Sequence, residues 1–152
     1  VSKSCKSYVV GFVFRGSQVL LIEKKRPKWQ AGRLNGIGGH VEEGETPLTA
    51  MIRECLEEAN LDTVPQHWTE AVVLVHSDWC VRFFFMELLQ VKGDKPYLVE
   101  QKTDERLLWV SVDDLPDNVV YNLRWLIPLM KDIVAYPIVI QDIGAYDFGA
   151  EG

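Results

Sequence analysis

Gly38-Gly39-His40-Val41-Glu42-Glu43-Gly44-Glu45-Thr46-Pro47, continuing into Arg53-Glu54-Cys55-Leu56-Glu57-Glu58-Ala59-Asn60-Leu61, is the stretch around which the rest of the chain arranges itself. It reads as a glycine loop feeding a helix. Thr46 suits the N-cap and Pro47 the first helical position, so the spacing predicts a helix over 46–59. Leu48, Met51, Ile52, Cys55 and Ala59 recur at helical spacing and form its buried face. Asn60 tolerates the left-handed geometry that ends a helix.

The opposite face carries Glu54, Glu57 and Glu58, three and four residues apart, so their carboxylates fall on one patch. Arg53 can pair with Glu57, but one cation does not neutralise three anions. Helix physics leaves two readings open. One is an ordinary solvated acidic face. The other is a site for a hard divalent cation, since Mg²⁺ favours carboxylates, carbonyls and water.

The full pattern is Gly39, five residues, Glu45, seven residues, Arg53-Glu54-Cys55, one residue, Glu57-Glu58, one residue, Asn60-Leu61. It resembles the box G-x5-E-x7-R-E-U-x-E-E-x-G-U of the Nudix hydrolases, where U is a bulky apolar residue. Six glycine, arginine and glutamate positions match. Cys55 stands where the family has an aliphatic residue, and a buried free Cys behaves as a small hydrophobe. Asn60 replaces the last glycine and is the next best residue for that backbone. The resemblance implies an α+β fold, an α/β/α sandwich with a mixed β-sheet, as one domain over 1–152.

Working outward, Tyr8–Arg15 and Gln18–Glu23 read as strands of a hairpin turned at Gly16-Ser17. A basic cluster, Lys24-Lys25-Arg26-Pro27-Lys28, follows; it is either a solvated loop or a rim facing phosphates. Leu34–Ile37 reads as a short strand delivering Gly38-Gly39. Trp68–Ser77 and Val81–Val91 read as two paired apolar strands, and Lys92–Pro96 as a turn. Arg106–Val112 is another strand after a charged loop, Glu100–Glu105. Asn118–Asp132 reads as an amphipathic helix that Pro128 kinks or breaks, and Tyr136–Ile140 as a last strand.

Composition limits the partners. A net charge of −6 argues against a nucleic-acid polymer, whose phosphates need a basic surface, but not against a small nucleotide carried with metal. No apolar run reaches membrane-spanning length and no stretch has signal-peptide form. Cys5, Cys55 and Cys80 are unpatterned, which suits a reducing, cytoplasmic compartment. A monomer or homodimer is expected.

Nudix enzymes hydrolyse a nucleoside diphosphate linked to another group. The resemblance implies that Glu54, Glu57 and Glu58 hold Mg²⁺, or Mn²⁺ in its place, with the Gly38 carbonyl as a further oxygen. It implies that Arg53 orients a carboxylate and that Glu45 supports the loop through that Arg. A downstream carboxylate serves as base or ligand, either Glu105 or Glu100. Thr103-Asp104-Glu105 before Trp109 is similar to the mammalian 8-oxo-dGTP diphosphatases and favours Glu105. Lys24-Lys25-Arg26 and Gly32–Gly39 resemble the oxidised-purine branch, as does Asn122-Leu123-Arg124-Trp125. There Lys24, Asn35, Gly39 and Asn122 would bind substrate, the two asparagines reading the purine edge. For the asparagines, the plain alternatives are a loop-turn residue and a helix start. The expected activity is release of pyrophosphate from a purine nucleoside triphosphate. The same-fold alternative is an ADP-ribose or nucleotide-sugar pyrophosphatase; the alternative of another class is a non-catalytic nucleotide- or protein-binding module.

Overall fold

The computed structural model describes residues 5–88, 99–132 and 137–141. Strand β1 (Lys6–Arg15) alternates Val9, Gly11 and Val13 with Val10, Phe12 and Phe14, so it buries both faces. It lies along β6 (Trp79–Glu87) in parallel, Lys6 opposite Trp79 through Phe14 opposite Glu87. Its other edge is shared. The C-terminal end forms the hairpin with β2 (Gln18–Glu23), and the N-terminal half pairs antiparallel with β4 (Ile37–His40). The hairpin turn is made by Gly16 at φ 58.

The segment expected as one strand at 34–37 is two. β3 (Leu34–Asn35) pairs with β2, and β4 with β1, the switch occurring at buried Gly36. Any Cβ there would meet the Gly11 carbonyl and Val10 side chain. β5 (Thr69–Val75) forms the expected hairpin with β6 around His76–Trp79, where His76 N donates to Trp79 O at 2.8 Å. β7 (Leu107–Ser111) joins β2, and β8 (Ile138–Gln141) runs parallel to β5. Tyr136, the turn at 92–96 and the end of the strand expected to reach Val91 lie outside the described residues.

One helix covers each face of this mixed sheet. Helix α1 (Pro47–Ala59) packs on the Val9–Val13 face, where Met51 and Trp68 fill the space that a side chain at Gly11 would take. Thr46 caps it, its Oγ accepting from Thr49 N at 3.1 Å, a contact worth about 1 kcal/mol. Asn60 closes it at φ 57, donating its N–H to the carbonyls of Cys55 and Leu56. Burial pushes the Cys55 thiol up to about 12, so it behaves as an inert apolar group. Helix α2 (Leu123–Asp132) packs on the Phe12–Phe14 face through Leu123, Leu126, Ile127 and Met130. It starts five residues later than Asn118, because Leu34 N donates to Asn118 O and Val120 N to Leu34 O, holding 118–120 against β3. Pro128 does not end it. Pro128 and Arg124 are both exposed, so water can serve the carbonyl that the missing N–H leaves unpaired.

Candidate active site

Arg53 is the hub of the glycine loop and α1. Its Nε donates to Glu45 Oε2 at 2.8 Å and its Nη2 to Glu45 Oε1 at 3.0 Å, a bidentate pair. Nη2 also donates to His40 O at 3.0 Å, and Nη1 to Glu54 Oε1 at 3.0 Å and Glu57 Oε2 at 3.3 Å. Glu45 Oε1 in turn accepts from Glu42 N at 2.9 Å, closing the loop upon itself. The Arg53 hydrogen bonds, then the Glu42 N–H, hold the Glu45 carboxyl below the ordinary carboxylate value. Reciprocally, Glu45 raises the Arg53 guanidinium above its ordinary value against the cost of burial. Loop 40–45 and helix α1 are therefore one electrostatic unit, and Arg53 pairs with Glu45 more closely than with Glu57.

The three helix glutamates form one cluster, Glu54 and Glu57 accepting from the same Arg53 Nη1 and Glu58 adjoining Glu54, but they differ in burial. Glu54 and Glu58, one turn apart, lean toward the sheet with Glu58 only 6 % exposed, while Glu57 is rotated toward solvent beside Arg53. Glu54 lies against Gly39: a Cβ there would come within 2.5 Å of Glu54 Oε1. Gly38 has its backbone packed on Val9, with no room for a side chain. Glu58 is pushed well above the ordinary carboxylate value by burial first, then by the adjoining Glu54 carboxyl, with Glu105 adding and Lys24 opposing. Its Oε2 is buried without a hydrogen-bond partner.

Pairing of β2 with β7 carries Glu105 to this point from 81 residues away: Lys24 Nζ donates to Glu105 Oε1 at 3.2 Å and Lys25 N to Oε2 at 2.6 Å. Glu100 is elsewhere. Its backbone N–H donates to Ala59 O, and its exposed carboxylate meets Asn60 and Lys102. The basic cluster is largely committed to the same downstream loop, Arg26 pairing with Asp104 at 2.9 Å and Lys25 at 3.8 Å. Its charges fasten two loops together.

At the far end of β3, Asn35 Oδ1 accepts from Gly36 N at 2.8 Å and its Nδ2 donates to Gln30 Oε1 at 2.9 Å. Asn122 sits just before α2, where its backbone carbonyl accepts from Leu126 N. Its side chain does not cap the helix; Oδ1 is buried and unpartnered. Leu34 and Val120, neighbours in sequence of Asn35 and near Asn122, are joined by the bond from Val120 N to Leu34 O. Nothing in the sequence distinguishes Gln30 from its loop neighbours; only tertiary geometry places it on Asn35.

A NUDIX domain family profile matches residues 6–130. The chain belongs to the Nudix hydrolase family. It is 32 % identical over 136 residues to the oxidized purine nucleoside triphosphate hydrolase of Danio rerio, covering 85 % of this chain and 76 % of that protein. The protein of the same name from Mus musculus is 34 % identical over 116 residues, covering 72 % of this chain and 68 % of its own. Among solved structures, a MutT NUDIX hydrolase from Burkholderia pseudomallei superposes with a TM-score of 0.65 at 25 % identity, over 84 % of this chain and 98 % of that one. An ADP-ribose pyrophosphatase from Streptococcus suis superposes with a TM-score of 0.64 at 16 % identity, over 91 % and 100 %. The Nudix fold is thus shared by enzymes named for different substrates. Nudix hydrolases bind nucleotide substrates and are generally dependent on a divalent metal. No helix among the described residues is long and apolar enough to cross a membrane.

The donor set fits such a metal, although among the described residues no group of three acidic, His or Cys side chains already converges as a cage. Glu58 supplies a buried oxygen without a partner, Glu54 lies beside it, and Glu105 is near enough to raise its proton affinity. Three carboxylates held this close gain from a cation what they lose to one another.

Proposed function

We propose that this Nudix hydrolase releases pyrophosphate from a purine nucleoside triphosphate, an oxidised one such as 8-oxo-dGTP among them, with Mg²⁺ as its ion and Mn²⁺ able to replace it. One observation carries the reading. Among the described residues, two buried side-chain polar atoms lack a hydrogen-bond partner, Glu58 Oε2 and Asn122 Oδ1. Leaving such an atom unpaired costs roughly 1–3 kcal/mol, which a ligand recovers on binding. On this reading the first belongs to the metal end and the second to the base end, with β3 and β4 running between Asn122's neighbourhood and the glycine strand beneath Glu54.

Glu54, Glu57, Glu58 and the Gly38 carbonyl would hold the metal, with Glu105 as a further ligand or as base. The metal, when bound, neutralises pyrophosphate oxygens and makes water a better nucleophile toward phosphorus. Arg53 holds Glu54 and Glu57 in orientation through its Nη1. Glu105 accepts a proton from water or shares the metal, and Lys24 holds its carboxylate in place. Gly39 leaves Glu54 room at the strand surface. Asn35 and Asn122 hydrogen-bond the base edge. The relatives' names point to oxidised purines as the substrate class.

The test is product analysis on a nucleotide panel at saturating Mg²⁺. Monophosphate plus pyrophosphate is expected from a purine triphosphate; turnover of ADP-ribose alone, to two monophosphates, would refute the assignment. Asn122→Ala should lower kcat/KM for the preferred purine nucleotide about tenfold and leave a pyrimidine nucleotide nearly unchanged.

A further inference from the structure

Three carboxylates assigned above to the metal, Glu54, Glu58 and Glu105, gather around one sheltered ammonium. Lys24 Nζ donates to Glu105 Oε1 at 3.2 Å, and the two side chains are only 15 % and 8 % exposed. The neighbouring Arg26–Asp104 pair is 65 % and 55 % exposed, so water screens it strongly and screens the Lys24 pair far less. The charge of Lys24 reaches Glu58 as well. Burial first, then Glu54, and also Glu105 push that carboxyl toward protonation, and Lys24 opposes them. We propose that Lys24 is the resident counter-ion of the metal site, a positioning residue whose charge holds the acidic cluster together and opposes the divalent ion that the cluster binds. The inference rests on the metal assignment made above.

Charge and orientation are separable at this position. Glu105 Oε2 accepts from Lys25 N at 2.6 Å, and Glu105 N donates to Thr103 Oγ1 at 3.1 Å, so the carboxylate keeps an anchor when the ammonium is removed. What Lys24 adds beyond the Lys25 N–H is a full positive charge. The main chain of Lys24 is fixed too, its N–H donating to Arg33 O and its carbonyl accepting from Gly32 N, both at 2.8 Å. The backbone therefore cannot carry the ammonium away from the cluster. Arg53, the other nearby cation, serves a different side: it is paired with Glu45 and donates to Glu54 and Glu57. The Lys24 charge acts in two directions. It offsets the repulsion among Glu54, Glu58 and Glu105, which stabilises the fold without bound metal. A divalent cation on the same oxygens is a like charge beside the ammonium, and the two repel. Metal affinity is then lower than the carboxylates alone would give, and the ion exchanges more readily. This differs from the substrate contact that the family resemblance implies for Lys24, because the partner of the ammonium is a carboxylate of the metal site.

The experiment titrates nucleotide-free protein with Mn²⁺ alone and reads the free ion by its EPR signal, for wild type, Lys24→Met, Lys24→Gln, Lys24→Arg and Glu58→Gln. Thermal melting in EDTA, followed by circular dichroism, runs beside it. Lys24→Met and Lys24→Gln both lack the charge and should bind Mn²⁺ about tenfold more tightly than wild type. Both should melt lower in EDTA, because Glu105 is left with a buried charge that nothing opposes. Lys24→Gln keeps an amide donor, so it carries the test if Lys24→Met does not fold. Lys24→Arg keeps the charge and should stay within about threefold of the wild-type affinity. Charge-free variants that bind Mn²⁺ no more tightly than wild type would overturn the counter-ion role and leave Lys24 as a support for Glu105. An arginine variant as tight as the methionine one, or charge-free variants that melt at or above wild type in EDTA, would overturn it too. Glu58→Gln should weaken Mn²⁺ binding by about tenfold or more. If it binds as wild type does, or if wild type binds no Mn²⁺, the metal assignment falls and the inference with it. A loss in Glu58→Gln without a gain in the Lys24 variants removes the role of Lys24 alone.

Discussion

Replacing Glu58 by glutamine should stabilise the metal-free protein. Glu58 is buried, has one oxygen without a partner, and shares its surroundings with Glu54 and Glu105. Its folded-state pKa is raised above the ordinary 4.5, so the native state binds a proton that the unfolded chain releases. Stability is then fully present below about pH 4.5 and falls as pH rises, with a ceiling of about 1.4 kcal/mol per pH unit for one proton. Lys24 offsets part of this, and a buried polar atom left unpaired costs roughly 1–3 kcal/mol, so the gain from Glu58→Gln at pH 8 should be about 1–3 kcal/mol. For a chain of this size that is a rise of about 3–10 °C in Tm. The assay is thermal denaturation of both proteins in EDTA at pH 8 and pH 5. The gap should shrink at pH 5, where the wild type keeps its proton at little cost. Added Mg²⁺ should then raise the wild-type Tm more than that of the variant, because binding to the native state alone stabilises it. A metal-free Glu58→Gln that melts at or below wild type at pH 8 would refute the reasoning. It would mean that the carboxylate is ionised and already matched by Lys24.

Glu57→Gln should behave oppositely: Glu57 is exposed, so Tm in EDTA should move by no more than about 1–2 °C while kcat with Mg²⁺ falls by orders of magnitude, as steady-state kinetics will report. Arg53→Lys removes the bidentate pair with Glu45 and the bond to His40 O, and should cost about 1–3 kcal/mol by denaturant titration, with activity falling because Glu54 and Glu57 lose their common donor. Glu105→Gln should cut kcat with little change in nucleotide affinity, whereas Glu100→Gln should be mild, since that exposed carboxylate meets Asn60 and Lys102; the reverse ranking in kinetics and binding would make Glu100 the working residue.

Local chemistry alone determined much of this protein. Thr46 and Pro47 start α1, Asn60 ends it, and the period of Met51, Cys55 and Ala59 chooses its buried face, because capping and helical periodicity act within a few residues. The glycine-to-glutamate spacing likewise carried the family, since the loop and helix that hold the acids are contiguous in the chain. What required the tertiary structure is every contact between distant segments. Glu54, Glu57 and Glu58 look equivalent in sequence, yet folding buries Glu58 near Lys24 and Glu105 and leaves Glu57 in solvent. The basic cluster at 24–26 gives no sign of its acidic partners until the β2–β7 pairing brings 104–105 beside it. The start of α2 moved from 118 to 123 because a bridge to Leu34 held those residues extended. Gln30 is one polar loop residue among several until the fold sets its oxygen on Asn35. Sequence specifies which groups can donate, accept or carry charge; which of them are already satisfied, and which remain for a ligand, depends on neighbours that only the folded chain supplies.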